Sequence, residues 1–394
     1  MSIALLYERS ENDENGIKLT AQQLGVDLVF VPFRKIAFSI SKEGFTAKTK
    51  GRDYTSEVKD VEVVLNRAQS KNRRLQASYI METLGKKTLN TSQAEFVCYS
   101  KLRTLLKLWK EGLPIPKTVY VPCDSTDVLK DGQKIHNEKD IADLFQQEIP
   151  LSEGIVIKAD AGTHGKMIML AKNTEELIVN IKETKPSIIN PVGVVAQELV
   201  EKWFYDLRII VSKEKGKQPV CYPTAMARAG FKDFRTNTFL GNLVFGVKLP
   251  KNVQEMAVKC GKTLGKGSAA WIFALDAMVN IGDNKTLDDE YVKDQLNKAG
   301  QAFLPVQKVK QDEMRLKDFP RWTNKLEKAF QIYVNSECYE NIKNIIEESV
   351  DKNKNALVFH ESNSCPEFWE NTRLATGLNV AVSLLKGAQS LIER

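Results

Sequence analysis

The chain opens on the apolar run Ile3 to Tyr7, crosses a polar stretch containing Gly16, and returns to apolar positions in LGVDLVFVPF and then VEVVLNR. Short apolar runs separated by a helical stretch predict strand, helix, strand and a further strand, the start of an α/β layer. Basic and apolar positions then alternate helically over 71–89, with Gly85 as the stop and Leu89 opening a new segment, which puts the end of a first domain near residue 92. From Ser92, the series Ser-Gln-Ala-Glu offers a capping box, and Cys98, Leu102, Leu105, Leu106 and Trp109 share one face. That pattern predicts a single helix stopped by Gly112 and Pro114.

Further along, KTVYVP predicts a strand, a polar connection follows, and EGIVIKADAGTHGKMIMLA reads as strand, glycine turn, strand. VGVVAQELV and LRIIVS predict two more strands, followed by AMARAG, the polar FKDFRTNTF and a helix from about Val253 to Leu264. WIFALDAMVN and ALVFHESN predict strands flanking a charged insertion at about 283–355. Trp322, Leu326, Ala329, Phe330 and Tyr333 recur there at helical spacing, so the insertion is expected to fold as helices. Leu378, Ala381, Leu385, Ala388 and Ile392 form the core stripe of a last helix.

Composition narrows the class. The 394 residues are 42% hydrophobic and 27% charged, which suits a soluble protein of two or three domains. No run approaches the length of a membrane span, and the N-terminus turns acidic too soon for a secretory signal, so a cytoplasmic protein is expected. Six cysteines without a CxxC pair and three histidines leave nothing from which to build a soft-metal cluster. The net charge of +7 suits an acidic ligand such as ATP, or an acidic partner. The basic residues are spread along the chain rather than clustered with aromatics, which argues against a nucleic-acid surface.

Three constellations carry chemistry. The turn Ala159 to Gly165 follows Lys158 at a strand end. Glycines let backbone N–H groups approach a polyphosphate, and the lysine adds a fixed cation. A plain hairpin with two glycines would look the same. Gly261-Lys262-Thr263 lacks the first glycine and the preceding strand of a P-loop, and no GxGxxG follows the first strand. The second constellation is Asp276 on one strand with Glu361 and Asn363 on another. Residues two apart share a strand face, so Glu361 and Asn363 point together while His360 points away. Three such oxygen donors suit magnesium, although half-exposed strand ends carry the same residues. The third runs from Asp206 and Arg208 through Arg228 and Lys232 to Arg235 and Asn237. Arginine forks there could bind carboxylate or phosphate.

Taken in order, NRAQS, LNTSQAEFVCYSKLRT, IVIKADAGTHG, VVAQELVEKWFYDLRIIV, AMARAGFKDFRTN, FALDAM and HESNSCPEFWENTRLATGLNVA resemble the RimK-like branch of the ATP-grasp superfamily. The resemblance implies an ATP-grasp fold of α/β and α+β units: an N-terminal α/β pre-ATP-grasp domain at 1–92, a central subdomain with the glycine loop at 93–196, and a C-terminal subdomain with the metal site at 197–394. It also implies site residues. Lys101 and Lys158 would bind phosphates, with Gly162, Thr163, His164 and Gly165 closing over them. Gln197, Glu198, Leu199 and Val200 would line the adenine edge, and Asp206 would sit near the nucleotide. Arg235, Thr236 and Asn237 would lie by the triphosphate, Arg235 and Asn237 serving the acyl phosphate. Asp276, Glu361 and Asn363 would hold two magnesium ions, which manganese could replace.

The implied activity is an ATP-dependent carboxylate-amine ligase: a carboxylate is activated as an acyl phosphate, then joined to an amine such as an amino acid. The tail is similar to the subgroup that loads amino acids onto an acidic amino-group carrier protein, so such a carrier or an acidic peptide is an expected partner; a homo-oligomer is compatible with the sequence. Pro366, and FLGN after Arg235, depart from the branch's pattern, as does the insertion. Two alternatives stand beside the ligase: an ATP-grasp kinase acting on a hydroxyl, and an inactive nucleotide-binding scaffold.

Overall fold

A computed structural model describes residues 2–9, 11–162, 167–184, 186–187, 190–236, 238 and 241–392. The first sheet is parallel and runs Leu28–Pro32, Ile3–Tyr7, Val63–Arg67, Lys87–Leu89. Helices cover both faces of such a sheet, so its central strands open on continuous apolar runs. Ile3, Ala4, Leu5 and Leu6 are all buried, as are Val63, Val64 and Leu65. The helices Asn12–Leu24 and Lys71–Thr83 follow the first two central strands, and the last helix, Val380–Ile392, returns from the far end of the chain to pack beside them. A hairpin of Ala37–Ser41 and Gly44–Lys48 was not foreseen in the sequence reading.

The second sheet is antiparallel, ordered Thr118–Val121, Val194–Glu198, Ile155–Lys158, Ile168–Ala171. Its core is closed by the helices Glu138–Glu148 and Thr174–Glu183, through Ile141, Phe145, Leu177 and Ile181. The first of these helices occupies the stretch whose polar sequence predicts a connection. Asn137 and Asp140 form its capping box, and only one narrow stripe is buried.

The third sheet is antiparallel along the order Leu243–Lys248, Thr224–Ala229, Tyr205–Lys213, Trp271–Val279, Leu357–Asn363. Its edge strand Leu243–Lys248 was also missed. The insertion folds as helices Asp289–Lys310, Met314–Lys317, Phe319–Val334 and Glu337–Lys352, and it covers this sheet at that edge. Trp322 and Tyr333 are wholly buried. The Tyr339 hydroxyl accepts the Gly246 N–H at 2.7 Å, the Tyr333 hydroxyl donates to the Val244 carbonyl at 3.3 Å, and Tyr205 donates to Ser349 at 2.9 Å. The insertion is therefore part of the core.

The single helix expected from Ser92 is two, Ser92–Tyr99 and Lys101–Lys110. Thr91, not Ser92, caps the first through the Ala94 N–H. Ser100 interrupts the run with extended backbone and caps the second helix through the Arg103 N–H. The break rotates the second helix, so Lys101, Thr104, Leu105 and Leu108 are buried while Leu106 and Trp109 face solvent. Asn90 ties the first sheet to the third: its amide donates to the Ile272 and Ser364 carbonyls at 2.8 and 3.0 Å, and its oxygen accepts the Ile272 N–H at 2.9 Å.

Candidate functional site

The three sheets meet at one cleft, whose centre is the pairing of Trp271–Val279 with Leu357–Asn363. Asp276 stands opposite Glu361 and Ala277 opposite Phe359, so His360 is an extra residue in a β-bulge. Strict alternation would have turned His360 away. The bulge instead sets His360, Glu361 and Asn363 all along the cleft, with Phe359 and Ser362 buried on the other side. His360 Nε2 is buried and makes no hydrogen bond. Burial and then Lys158 pull its pKa down to about 4, so the imidazole is neutral.

Around this centre the charges alternate across neighbouring strands. Arg208 lies opposite Asp276 and grips both its carboxylate oxygens at 2.9 Å. Arg228 lies opposite Asp206, gripping it at 2.7 and 2.8 Å, and reaches Asp276 at 3.4 Å. These forks, which the sequence left open for a ligand, are engaged with carboxylates of the protein itself. Glu361 lies 3.5 Å from Lys101 and 3.6 Å from Lys71. Burial opposes ionisation of Glu361, but Lys101 and Lys71 outweigh it and hold its pKa at about 2. Burial likewise works against Asp276, and Arg208 and Arg228 keep its carboxyl well below the ordinary range. Both groups are thus carboxylates at neutral pH.

At the next part of the cleft, the break at Ser100 has a purpose in the geometry. The Ser100 hydroxyl and the Leu102 N–H both donate to the Asp160 carboxylate, at 2.8 and 2.9 Å, and the Lys101 N–H donates to the Asp160 carbonyl at 3.0 Å. Lys101 is thereby held against the glycine turn, its ammonium donating to the Gly162 carbonyl at 2.7 Å. Lys158 lines the cleft from the strand before the turn; burial and then Lys101 lower its pKa to about 8. Lys202, which the sequence reading missed, donates to Thr236 at 2.8 Å, and burial brings it to about 8 as well.

The first sheet and the segments that follow its strands supply the remaining wall with Arg9, Arg67, Gln69, Lys71 and Arg74. Arg67 is held by Asp13 and Glu14 at 3.0 and 3.3 Å, and Arg74 by Glu95 at 2.8 Å. Nothing in the spacing of NRAQS marks these residues as cleft-forming; only the packing of 364–369 against the first sheet, where Arg67 donates to the Pro366 carbonyl at 3.1 Å, brings them there.

Of the sequence candidates, Lys158, Gly162, Glu198, Leu199, Val200, Asp206, Arg235, Thr236, Asp276, Glu361 and Asn363 line this cleft, and Lys101 reaches it through Glu361. Gln197 is not among the lining residues: it is buried, and its amide donates to Thr118 at 3.0 Å. Arg235 is folded onto Asp233, at 2.7 Å. Thr163, His164, Gly165 and Asn237 fall outside the described residues. Among the described residues no three His, Cys, Asp or Glu side chains form a metal cluster. Asp276 and Glu361 nevertheless fit magnesium, which takes few protein carboxylates and completes its shell with an amide oxygen, water and phosphate. Asn363, which also lines the cleft, offers an amide oxygen. No helix among the described residues is long and apolar enough to cross a membrane.

Residues 126–278 match the RimK-like ATP-grasp domain. The α-aminoadipate–LysW ligase LysX of Sulfurisphaera tokodaii is 24% identical over 67% of this chain and 82% of its own length. A probable alpha-L-glutamate ligase of Legionella pneumophila is 29% identical over 47% of this chain and 54% of its own length. Among solved structures, a Chryseobacterium gregarium RiPP-associated ATP-grasp ligase, in complex with ADP and a leader and core peptide, superposes with a TM-score of 0.56 at 12% identity. That likeness covers 100% of this chain and 98% of the other, and speaks to the fold. The relatives are named as ligases, which sets aside the kinase and inactive-scaffold alternatives. Residues 126–278 thus carry a RimK-like ATP-grasp domain, and the chain is an ATP-dependent ligase that forms C–N bonds.

Proposed function

We propose that the cleft activates a substrate carboxylate as an acyl phosphate and joins it to an amino acid. The observation that carries this reading is the register of Asp276 opposite Glu361, with Lys158 and Lys101 beside them. Lys101 and Lys158 bind the phosphates of ATP, the Gly162 turn lies over them, and Glu198 to Val200 border the adenine. Asp276, Glu361 and Asn363 are the residues that hold magnesium, which supplies charge neutralisation for phosphoryl transfer. A carboxylate oxygen of the substrate attacks the γ-phosphorus, ADP leaves, and the amine then displaces phosphate from the acyl carbon. The chain's share of the work is to orient the reactants and keep water from the mixed anhydride. Arg235, which lines the cleft beside Asp233, serves the acyl phosphate, as does Asn237.

The relatives' names favour an amino acid as one reactant, and the net charge of +7 favours an acidic protein or peptide as the other. On this reading the chain works in the cytoplasm as three units, 1–92, 93–196 and 197–394. The test is ADP release with magnesium, ATP and a panel of amino acids and acidic peptides, with mass spectrometry of the products. Release that needs both a carboxylate and an amine is expected, and Glu361→Ala should lower it by about two orders of magnitude or more with the fold retained. A Glu361→Ala enzyme as active as the parent would remove the metal site from the account.

A further inference from the structure

The cations lining the cleft are mostly spent. Arg208 and Arg228 hold Asp276 and Asp206, Arg67 and Arg74 hold Asp13 and Glu95, and Lys202 donates to Thr236. Lys71 is different. It is 8% exposed, it opens the helix Lys71–Thr83 at the wall beside the first sheet, and its ammonium is buried without a hydrogen-bond partner. Its contact with Glu361 is a 3.6 Å ion pair, and Glu361 is shared with Lys101 at 3.5 Å. Beside it, Gln69 Oε1 is a buried oxygen that also lacks a partner. A buried ammonium carries three donors and has given up its hydration, so such an arrangement is incomplete until a hydrogen-bond acceptor arrives.

We propose that Lys71 is the binding residue for the substrate carboxylate that becomes activated. This rests on the ligase reading above and goes further by assigning one reactant to one wall of the cleft. Lys101 and Lys158 stand on the side of the glycine turn, where they serve the nucleotide; Lys71 comes from the helix after the first sheet's third strand and meets the same Glu361 oxygen as Lys101, at 3.6 and 3.5 Å. An anion on Lys71 therefore lies next to the phosphates that Lys101 binds, within reach of the transferring phosphoryl group. The ligand class is a carboxylate, and the orphan Gln69 oxygen suits an N–H next to it, as an amino acid or peptide provides.

The experiment compares the parent, Lys71→Met and Lys71→Arg, all checked for an unchanged melting temperature. ADP release is measured against a panel of the twenty amino acids and acidic peptides, and magnesium–ATP affinity is measured separately by calorimetry. Lys71→Met should raise the carboxylate KM by about tenfold to a hundredfold, the loss of a charged hydrogen bond, with Lys71→Arg recovering part of it. Magnesium–ATP affinity should stay within about twofold of the parent. An unchanged carboxylate KM, or an equal loss of ATP affinity, overturns the assignment of Lys71 and leaves the ligase reading standing. A parent that binds magnesium–ATP but shows no dependence on any carboxylate overturns both. If Lys71→Met melts early, Lys71→Arg alone decides: a carboxylate KM identical to the parent's counts against Lys71 as the contact.

Discussion

Replacing Arg228 by Met tests whether the charge lattice beneath the cleft is as tightly balanced as its geometry indicates. The guanidinium is buried, holds Asp206 at 2.7 and 2.8 Å, and touches Asp276 at 3.4 Å. Asp276 keeps both bonds to Arg208, so the group left stranded is Asp206. Removing one partner of a buried pair costs about 3–5 kcal/mol, because the remaining charge stays desolvated. The pH dependence follows from Asp206. Burial raises its pKa, but Arg228 and Lys202 outweigh that and hold it below the ordinary 3.8, so in the parent it contributes stability above pH 3.8 that fades as pH falls. Without Arg228, burial dominates and the folded pKa rises above 3.8. The penalty is then full at neutral pH and shrinks as Asp206 takes up its proton on the way down towards pH 4. Urea unfolding of both proteins at pH 7.5 and pH 5 reads this directly. A loss below about 1 kcal/mol at pH 7.5, or an equal loss at both pH values, would refute the reasoning.

Other expectations concern the insertion and the nucleotide. Tyr339→Phe strands the buried Gly246 N–H and should cost about 1–3 kcal/mol in urea unfolding; no change would mean that the insertion is not fastened to the sheet edge. Trp322→Ala should cost about 3–5 kcal/mol by the same measurement, since the indole is wholly buried and donates to the Val309 carbonyl at 2.7 Å. Magnesium–ATP affinity should be flat below pH 8 and fall above it by about tenfold per pH unit for each lysine that must regain a proton on binding. Lys158, near 8, is such a lysine, and an affinity constant to pH 9.5 would exclude it from the phosphate site.

Most strands were legible because each is a short apolar run with polar limits. Trp271–Val279 and Leu357–Asn363 could be placed that way, and so could the stripe of Phe319–Val334. Periodicity failed where one residue changes the count. Ser100 fits a helical face as well as its neighbours do, and only its bond to the distant Asp160 shows why the helix stops there. The bulge at His360 is similar: alternation placed Glu361 and Asn363 correctly relative to each other, yet an unpaired residue next to Asp276 brought His360 onto the cleft as well. Leu243–Lys248 was lost between a polar loop and a clear helix. Lys71 was invisible for another reason: its position against Glu361 depends on how the first sheet packs on the third, a contact 290 residues apart in the chain.

The account turns on a carboxylate becoming an acyl phosphate in this cleft. Supplying an accepted substrate with heavy oxygen in its carboxylate, together with magnesium, ATP and the amine, and then weighing the released phosphate, tests that step. One heavy oxygen in each phosphate is the expected result, because the attacking carboxylate oxygen stays on phosphorus when the amine displaces it. Unlabelled phosphate would contradict the account.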